Sequence, residues 1–585
     1  MKPTIILSLL AVLLFALPSP AGAANAVVGT GTPASCTEAA FDAALAAANS
    51  GGGTITFNCG AATKTITFTS EKALLATNIT INGSDRIILS GGNSTRFFFV
   101  NGGVTFNLQH ITLREGKSLA GGGAIESAGA QVILESVQLL ANHANDQGGA
   151  VYCYVGTGGT LTVSDSVFQN NTSLKGAAIY NDGCAATVSN SVFLTNQAVG
   201  GLGGAVYNAD TATLVVNNSR LQGNSALDGG GLYNAHGATA TLNAVTLEAN
   251  NGGYGGGLEN SGTVTVTRSL LNLNTVTGSG GGLWNLDGKV TLQGTTVSNN
   301  SAYEGGGVNS YGNHLQITDA NIVGNVATGS HGGGLYVSTG TAFITNATIS
   351  GNQANATSAN GGGIYQNSDD NLTLTNVTLA DNQAGLFGGG FYHYGRYAIL
   401  TNVTIGNNQA GAAGNAIYED SPMTPASPGV VQMVNSVIFG SANNCDGGLF
   451  QSLGHNLSKG TCSALTAGSD QDNYAGNLML GGLAFNGGAY PMPTMLPLAG
   501  SPLINAGDTN SCPATDQRGA ARVGSCDIGA VEYGATLPQA YLPSVLRCGQ
   551  EPVGRRQCLR PTGMTTLRIA EVDVARGQRT AGKLA

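Results

Sequence analysis

The 585-residue sequence contains 90 glycines but only 9% charged residues, against about 25% in ordinary globular chains. Its apolar residues recur periodically, which excludes an intrinsically disordered chain. With 23 basic and 32 acidic residues, and aromatic residues that are not interleaved with Lys or Arg, the sequence disfavours nucleic acid as a partner.

The first 23 residues have the three parts of a secretion signal. Lys2 supplies the positive charge, Ile5–Leu17 the apolar stretch, and Ala21–Ala23 the small-residue cleavage site. The apolar stretch is too short to span a bilayer, and no later stretch is long enough. The sequence therefore predicts an exported protein with no membrane span after signal removal.

Residues 24–120 are expected to form an N-terminal cap and the first, irregular coils of a solenoid. Glu38–Asn49 combines helix-forming residues with apolar spacing from Phe41 to Ala48, and Thr37 stands at the N-cap position. A helix here would cover the first strand edge, which would otherwise promote aggregation. Strand-like segments follow at Thr54–Asn58, Thr65–Thr69, Asn78–Asn82, Ile87–Ser90, Phe97–Val100, Val104–Leu108 and His110–Leu113.

Residues 121–440 repeat a unit of 25 to 29 residues that starts with glycines followed by an apolar residue. Twelve copies align on that apolar residue: Ile125, Val151, Ile179, Val206, Leu232, Leu258, Leu283, Val308, Leu335, Ile364, Phe391 and Ile417. A second signature, an apolar residue three positions before an Asn, recurs in the same phase. Its eleven Asn residues are Asn142, Asn171, Asn196, Asn224, Asn250, Asn274, Asn300, Asn325, Asn352, Asn382 and Asn408.

Apolar residues alternate with period two inside each unit, and no segment has a helical stripe. Each unit is interpreted as a glycine turn, a short strand, a loop, an alternating strand, a tight bend and a third strand ending in Asn. Such units predict an all-β fold, a single-stranded right-handed parallel β-helix of about fifteen coils and roughly 70 Å. The glycines are expected to supply positive φ angles, and the Asn residues to stack as a buried amide ladder.

Ten cysteines in an exported chain favour disulfides over a metal or redox site. The sequence has no CxxC pair and no Cys/His cluster with zinc spacing. Cys153 and Cys184 are about one coil apart, so a bond between them would join neighbouring coils. Pairing neighbours in sequence gives, as a hypothesis, Cys36–Cys59, Cys153–Cys184, Cys445–Cys462, Cys512–Cys526 and Cys548–Cys558.

The period fails at the Pro-rich segment Ser421–Pro428, and a different module is expected over residues 441–533. Its charged residues favour an internal ion-pair network over a Ca²⁺ or catalytic site: Asp508, Asp516, Arg518, Asp527 and Glu532. Residues 534–585 carry eight basic and three acidic residues. This tail is interpreted as solvated and partly disordered, the alternative being attachment to an anionic cell-envelope polymer.

Two bacterial families resemble parts of the chain. Gly203–Val206 and Phe193–Asn196 resemble the repeat motifs of the chlamydial polymorphic membrane proteins, which implies a surface adhesin, although no membrane barrel follows here. Ser501–Tyr533, with its Asp516–Gly519 and Asp527–Ala530 motifs, resembles the C-terminal region of secreted proteins described as choice-of-anchor Q. That resemblance implies a bacterial exported β-helix protein and no activity.

The predicted solenoid is also similar to the pectate lyase superfamily, the pectin lyase-like fold, which raises an enzymatic alternative. The resemblance implies a polysaccharide lyase that uses Ca²⁺ and a basic residue, or a glycosidase with clustered carboxylates, acting on acidic polysaccharide. The best candidates in the coils are Asp369 and Asp370, followed one coil later by His393 and Arg396. Exposed loop acids are ordinarily solvated, so the sequence predicts no metal site and no cofactor, with Ca²⁺ left open.

The residue after each aligned apolar position is aromatic in nine of twelve coils. If the apolar residue points inward, this one points outward, and rings on successive coils would stack about 4.8 Å apart. Stacking that protects the sheet and a ligand face for sugars or a partner are both open interpretations. These residues, called the aromatic row, are Tyr152, Tyr180, Tyr207, Tyr233, Trp284, Tyr336, Tyr365, Tyr392 and Tyr418. The exceptions are Glu126, Glu259 and Asn309.

Together these features predict an exported, non-catalytic cell-surface or matrix protein of a bacterium that presents an extended face for adhesion or polysaccharide contact. Regular repeats leave few positions for one asymmetric pocket, and charged residues for an acid–base pair are scarce. The expected partners are a polysaccharide or cell-envelope polymer and other surface proteins.

Overall fold

The computed structural model describes residues 24–154, 158–420, 429–463 and 465–538, together with the backbone of 548–550 and 556–558. The predicted secretion signal, the Pro-rich segment 421–428 and most of the predicted tail lie outside the described residues. The chain divides into two compact units, Met1–Leu542 and Pro543–Ala585. In the second unit, Cys548–Gln550 pairs with Arg556–Cys558 as antiparallel strands.

The first unit is an all-β parallel solenoid, which confirms the predicted fold class. Each coil places its strands beside the equivalent strands of the coils before and after it. Leu232–Asn234, for example, pairs in parallel with Val206–Asn208 on one side and Leu258–Asn260 on the other. Parallel pairing at the repeat distance is what stacked coils of one chain produce.

Three kinds of sheet run along the solenoid. The aromatic sheet has 15 strands: Lys72–Leu74, Phe98–Val100, Ile125–Ala128, Val151–Tyr154, Ile179–Asp182, Val206–Asn208, Leu232–Asn234, Leu258–Asn260, Leu283–Leu286, Val308–Tyr311, Leu335–Val337, Ile364–Gln366, Phe391–His393, Ile417–Glu419 and Cys445–Gly447. One short sheet contains Lys117–Ser118, His143–Ala144, Thr172–Lys175 and Gln197–Leu202. The other contains Asn251–Gly252, Thr275–Val276, Ser301–Ala302, Val326–Ala327, Gln353–Ala354, Gln383–Ala384 and Gln409–Ala410.

The bent sheet has 29 strands: Ala26–Val28, Gly53–Phe57, Lys64–Thr67, Asn78–Ser90, Thr105–Arg114, Gln131–Glu135, Gln138–Leu140, Thr160–Ser164, Val167–Gln169, Ala185–Ser189, Val192–Leu194, Thr213–Asn217, Arg220–Gln222, Thr239–Asn243, Thr246–Glu248, Thr263–Thr267, Leu270–Asn272, Lys289–Gln293, Thr296–Ser298, His314–Thr318, Asn321–Val323, Thr341–Ser350, Asn371–Ala380, Tyr397–Thr401, Thr404–Gly406, Val430–Val434, Val437–Phe439, Phe450–Ser452 and Leu457–Ser458. The coils thus continue past residue 440 to Leu457–Ser458, which pairs with Val437–Phe439.

Tight bends separate the strands of each coil. Thr239–Asn243 and Thr246–Glu248 meet at Ala244, which has φ 54°. A second bend follows at Ala249, with φ 52°, so the third strand ends before Asn250 rather than at it. The extra turn directs the Asn side chain into the core, and the short sheet strand that follows was not predicted.

Glycine is required where each coil begins. Gly229 has φ 65°, and a Cβ on it would lie 2.7 Å from the carbonyl oxygen of Leu232. A Cβ on Gly230 would lie 2.6 Å from the carbonyl oxygen of Gly256 in the next coil. The backbone conformation and the close approach of neighbouring coils therefore explain the repeated glycine run.

The predicted amide ladder is confirmed. All eleven Asn residues are buried, and the Nδ2 of each donates to the Oδ1 of the next at 2.9–3.1 Å. A second ladder, which sequence reasoning missed, follows the third residue of the short strands of the aromatic sheet. Its members are Asn181, Asn208, Asn234, Asn260 and Asn285, joined at 2.8–2.9 Å.

The predicted capping helix is also confirmed, with the bounds Glu38–Asn49. Thr37 Oγ1 accepts a hydrogen bond from the Ala40 backbone N–H at 3.2 Å, as an N-cap does. Phe41 and Ala48 are buried against the first coils. A short 3₁₀ helix at Pro33–Ser35 precedes it.

Four of the five predicted disulfides are present: Cys36–Cys59, Cys153–Cys184, Cys445–Cys462 and Cys512–Cys526. The Cα atoms of Cys153 and Cys184 are 6.2 Å apart, which places that bond between consecutive coils as expected. Four disulfides indicate folding in an oxidising compartment outside the cytosol. Cys548 and Cys558 are backbone register partners in the second unit, and their bond stays a prediction.

The segment 478–538, called the C-terminal strap, packs on the bends of the bent sheet. Its strands Ala484–Phe485 and Pro493–Thr494 form a small antiparallel pair. Gln517 Nε2 donates to the carbonyl oxygen of Ala347 at 2.8 Å, and Asn402 Nδ2 donates to the carbonyl oxygen of Asp527 at 3.0 Å. The strap and the bends are thus joined by hydrogen bonds from side chains of each to the backbone of the other.

Candidate functional site

The aromatic row occupies one register position on the aromatic sheet. Each position of the row, including the non-aromatic exceptions Glu259 and Asn309, is the register partner of the same position in the next coil. The residue before it is buried, so alternation directs the row residue away from the core. Phe99 and Asp446 extend the row at its two ends. Sequence alignment missed both because their coils lack the glycine run.

Most rings of the row stack face to face. The centroid distance is 4.9 Å for both Tyr180–Tyr207 and Tyr207–Tyr233, with interplanar angles of 10° and 3°. The Tyr365–Tyr392 distance is 5.0 Å with an angle of 6°. These distances match the predicted spacing of the coils, so each ring covers a face of its neighbour.

Exposure divides the row into two parts. Tyr336, Tyr365 and Tyr392 are only 6%, 8% and 4% exposed, and Tyr180 is also buried. The remaining members are partly exposed: Tyr152, Tyr207, Tyr233, Trp284 and Tyr418. The accessible aromatic surface therefore lies mainly in the coils from Tyr152 to Trp284.

A second row, called the flanking row, runs beside the first and was not foreseen. It consists of the residue just before the first glycine of a coil: Gln147, Lys175, Leu202, Asp228, Tyr254, Ser279, Glu304, His331, Asn360, Phe387 and Ala413. Tyr254 stacks on Trp284 at 4.4 Å, and Phe387 stacks on Tyr418 at 4.3 Å. The sequence signal for the flanking row is its constant position, four residues before each aligned apolar residue.

Carboxylates border the two rows. Tyr392 Oη donates to Asp420 Oδ2 at 2.5 Å, and Tyr152 Oη donates to Asp182 Oδ2 at 3.3 Å. Burial, followed by the charge of Glu259, raises the pKa of Tyr233 to about 12. The acidic residues that act on the row tyrosines are Asp146, Asp182, Asp210, Asp228, Glu259, Glu304, Glu419, Asp420 and Asp446.

Two of the three non-aromatic row positions have polar partners. Glu126 forms an ion pair with Arg96, which also lies 3.0 Å from Glu71. Asn309 Nδ2 donates to Glu304 Oε1 at 3.2 Å. Glu126 is thus paired where it interrupts the stack, whereas Asn309 donates to Glu304 but its buried Oδ1 has no hydrogen-bond partner among the described residues.

The third position, Glu259, is different. It lies between Tyr233 and Trp284 in the row and is only 2% exposed. Among the described residues, none forms a hydrogen bond with its buried Oε2, or with the buried Oδ1 of Asp228. Burial, reinforced by the nearby charge of Asp228, raises the pKa of Glu259 to about 9.

The four enzymatic candidates lie on two consecutive coils, where Asn371, directly after Asp370, pairs with Tyr397, directly after Arg396. Asp369 and Asp370 are exposed, and Asp370 Oδ2 accepts a hydrogen bond from the Gly340 backbone N–H at 3.0 Å. Arg396 is exposed beside Tyr397. His393 is fully buried, with Nδ1 3.3 Å from Glu419 Oε1.

The acidic residues of the C-terminal strap form a buried network. Arg518 donates from Nε and Nη2 to Asp516 Oδ2 at 2.9 and 2.7 Å. Arg522 Nη1 lies 2.9 Å from Glu532 Oε2. Asp527 accepts backbone hydrogen bonds from Asn505 and Tyr533. Asp516 pairs with Arg518 as the internal ion-pair interpretation expects, whereas Asp527, expected in the same pair, accepts backbone hydrogen bonds instead. Asp508 lies outside this network and accepts a hydrogen bond from Ser511 Oγ at 2.6 Å.

No three His, Cys, Asp or Glu residues in the described part of the chain are placed together to hold a metal ion. No described helix has the length and apolar character to cross a membrane. No protein-family model matches the sequence, and no curated protein is significantly similar to it.

Proposed function

We propose that this chain is an exported, non-catalytic surface or matrix protein whose aromatic sheet contacts a polysaccharide or cell-envelope polymer. The observation that carries the proposal is the partly exposed stretch of the aromatic row from Tyr152 to Trp284, bordered by hydrogen-bonding carboxylates. Tyrosine and tryptophan combine an apolar ring with a polar group, which suits contact with hydroxyl-rich polymers.

Repetition supports binding to a polymer rather than to a small molecule. Equivalent positions recur on every coil, so weak contacts multiply along a chain that lies parallel to the row. The resemblance of Ser501–Tyr533 to choice-of-anchor Q regions supports an exported bacterial origin, and the four disulfides agree with it.

Binding of the purified protein to a glycan and cell-envelope array, with and without Ca²⁺, tests this proposal. Replacement of Tyr207, Tyr233 and Trp284 by Ala is expected to weaken binding at least about tenfold, because three ring contacts are removed. Phe343→Ala is the matched control, since Phe343 is an exposed aromatic residue of the bent sheet, 42% exposed. Equal binding by the triple variant and the control would refute the assignment to the row.

The lyase alternative has a separate test. Release of unsaturated or reducing ends from pectin and alginate is measured with Ca²⁺ present, and we expect none above background. Turnover that is lost in Asp370→Ala or Arg396→Ala would replace the adhesion proposal with the enzymatic one.

A further inference from the structure

The interruption of the aromatic row at Glu259 brings acidic and aromatic groups together. Tyr233 and Trp284 are the register neighbours of Glu259 on the two sides. Asp228 is the register neighbour of Tyr254 in the flanking row, and Tyr254 stacks on Trp284 at 4.4 Å. Two carboxyl groups thus stand beside three aromatic rings on one face of the solenoid.

Among the described residues, none donates a hydrogen bond to the unpaired oxygens of the two carboxyl groups. Glu259 Oε2 and Asp228 Oδ1 are buried acceptors with no hydrogen-bond donor among the described residues. The buried Nε1 of Trp284 also has no acceptor among them. Buried polar groups are ordinarily satisfied, so three such atoms on three consecutive coils indicate a missing partner that carries both donors and an acceptor.

The charge of the surroundings restricts that partner. Asp228 is the charged group that acts on Glu259, while Tyr233 and Trp284 beside it are uncharged. Along the flanking register the basic residue is Lys175, two coils before Asp228, and the acidic residue Glu304 lies three coils after it. A uronate polymer would place further negative charge here, whereas a cation would be attracted both by the carboxyls and by the ring faces.

Resting on the proposed polysaccharide contact, we infer that Glu259, Asp228, Tyr254 and Trp284 form a subsite for the ammonium group of an amino-sugar polymer. The ammonium donates to the two unpaired carboxyl oxygens, and a sugar hydroxyl accepts from the indole N–H. Acidic polysaccharides are excluded from this face by repulsion.

Titration calorimetry tests the inference with hexamers of glucosamine, of N-acetylglucosamine and of galacturonate. The glucosamine hexamer is expected to bind at least about tenfold more tightly than the N-acetylated one at low salt, with the galacturonate hexamer weakest. Formation of the ion pair favours ionised Glu259 and releases a proton. The measured heat therefore depends on the ionisation enthalpy of the buffer.

Glu259→Gln and Asp228→Asn each keep the side-chain shape and are expected to weaken glucosamine binding about tenfold, and Glu259→Gln is expected to abolish the proton release. Glu126→Gln is the matched control at another row position, where the acid is already paired with Arg96. Circular dichroism confirms that each variant is folded. Unchanged glucosamine affinity in both test variants would overturn the subsite.

Preference for galacturonate over glucosamine would also overturn the subsite. Equal binding of the neutral and the cationic hexamer would leave the aromatic row as a polysaccharide face and remove only the ammonium assignment. Failure of all three hexamers, together with a negative array, would instead refute the proposed function itself.

Discussion

Replacing Asn274 by Ala removes one rung from the amide ladder. Asn274 Nδ2 donates to the carbonyl oxygen of Leu247 at 3.0 Å and to Asn300 Oδ1 at 2.9 Å. Its Oδ1 accepts from the backbone N–H and from the Nδ2 of Asn250, both at 3.0 Å. The substitution therefore deletes four hydrogen bonds in the core between three consecutive coils.

The expected loss of stability depends on which buried polar groups the substitution leaves without a partner. Asn250 Nδ2 keeps a second acceptor, the carbonyl oxygen of Leu221. The buried backbone N–H of Asn250 loses the hydrogen bond to the side chain of Asn274. An unsatisfied buried donor costs about 1–3 kcal/mol, and each of the other lost hydrogen bonds adds up to about 1 kcal/mol. We expect a total destabilisation of about 3–4 kcal/mol.

Urea denaturation followed by circular dichroism measures this effect as a lower midpoint of the transition. Asn355→Ala is the matched control, because Asn355 is exposed on the same solenoid, and it is expected to change stability by less than about 0.5 kcal/mol. If Asn274→Ala and Asn355→Ala shifted the midpoint equally, the ladder would not stabilise the coils.

Three further predictions concern the ends of the chain. Burial raises the pKa of Glu38, but hydrogen bonds from Lys72 and Thr69 outweigh it and lower the pKa to about 2. The ionised carboxylate therefore stabilises the fold above pH 4.5, and this contribution is lost as the pH falls toward 2. Glu38→Gln should remove about 1 kcal/mol of that acid dependence in urea titrations, after allowance for solvent screening. Gln517→Leu should open the C-terminal strap to proteolysis, measured by mass spectrometry, because Gln517 loses its hydrogen bonds to the bent sheet. Peptide mapping without reduction should find Cys548 linked to Cys558, and free thiols there would contradict the pairing.

The first amide ladder and the coils were predictable because their cause is local and repeated. A period of 25 to 29 residues placed each Asn in one register, and stacking followed from the geometry of parallel strands. The helix Glu38–Asn49 carried its own cap and apolar spacing. Alternation also assigns His393 to the core, two residues after the buried Phe391, whereas Tyr392 between them faces outward.

Contacts between distant segments could not be predicted from the sequence in the same way. Gln517 donates to Thr348 Oγ1 across 169 residues, and no sequence period relates the two. The flanking row escaped notice because its residue type varies from Asp to Tyr to His. The isolation of Glu259 is likewise a property of its neighbours in space, since Glu126 at an equivalent position has an arginine partner.

The substitution Glu259→Tyr is expected to raise the stability of the fold and to remove the binding preference. The substitution continues the stack between Tyr233 and Trp284 and removes a buried carboxyl group with an unpaired oxygen. An aromatic contact contributes about 0.5–1.5 kcal/mol, and loss of the unsatisfied group about 1–3 kcal/mol, so we expect a gain of about 2 kcal/mol. The same change deletes the ammonium acceptor and should abolish preference for the glucosamine hexamer.

A more stable variant without that preference would mean that the interruption is kept for binding at the expense of stability. Thermal unfolding and calorimetry on the same preparation measure both quantities. Loss of stability in Glu259→Tyr would show that the carboxyl group already has a structural partner, and the subsite would then have no unpaired acceptor to offer.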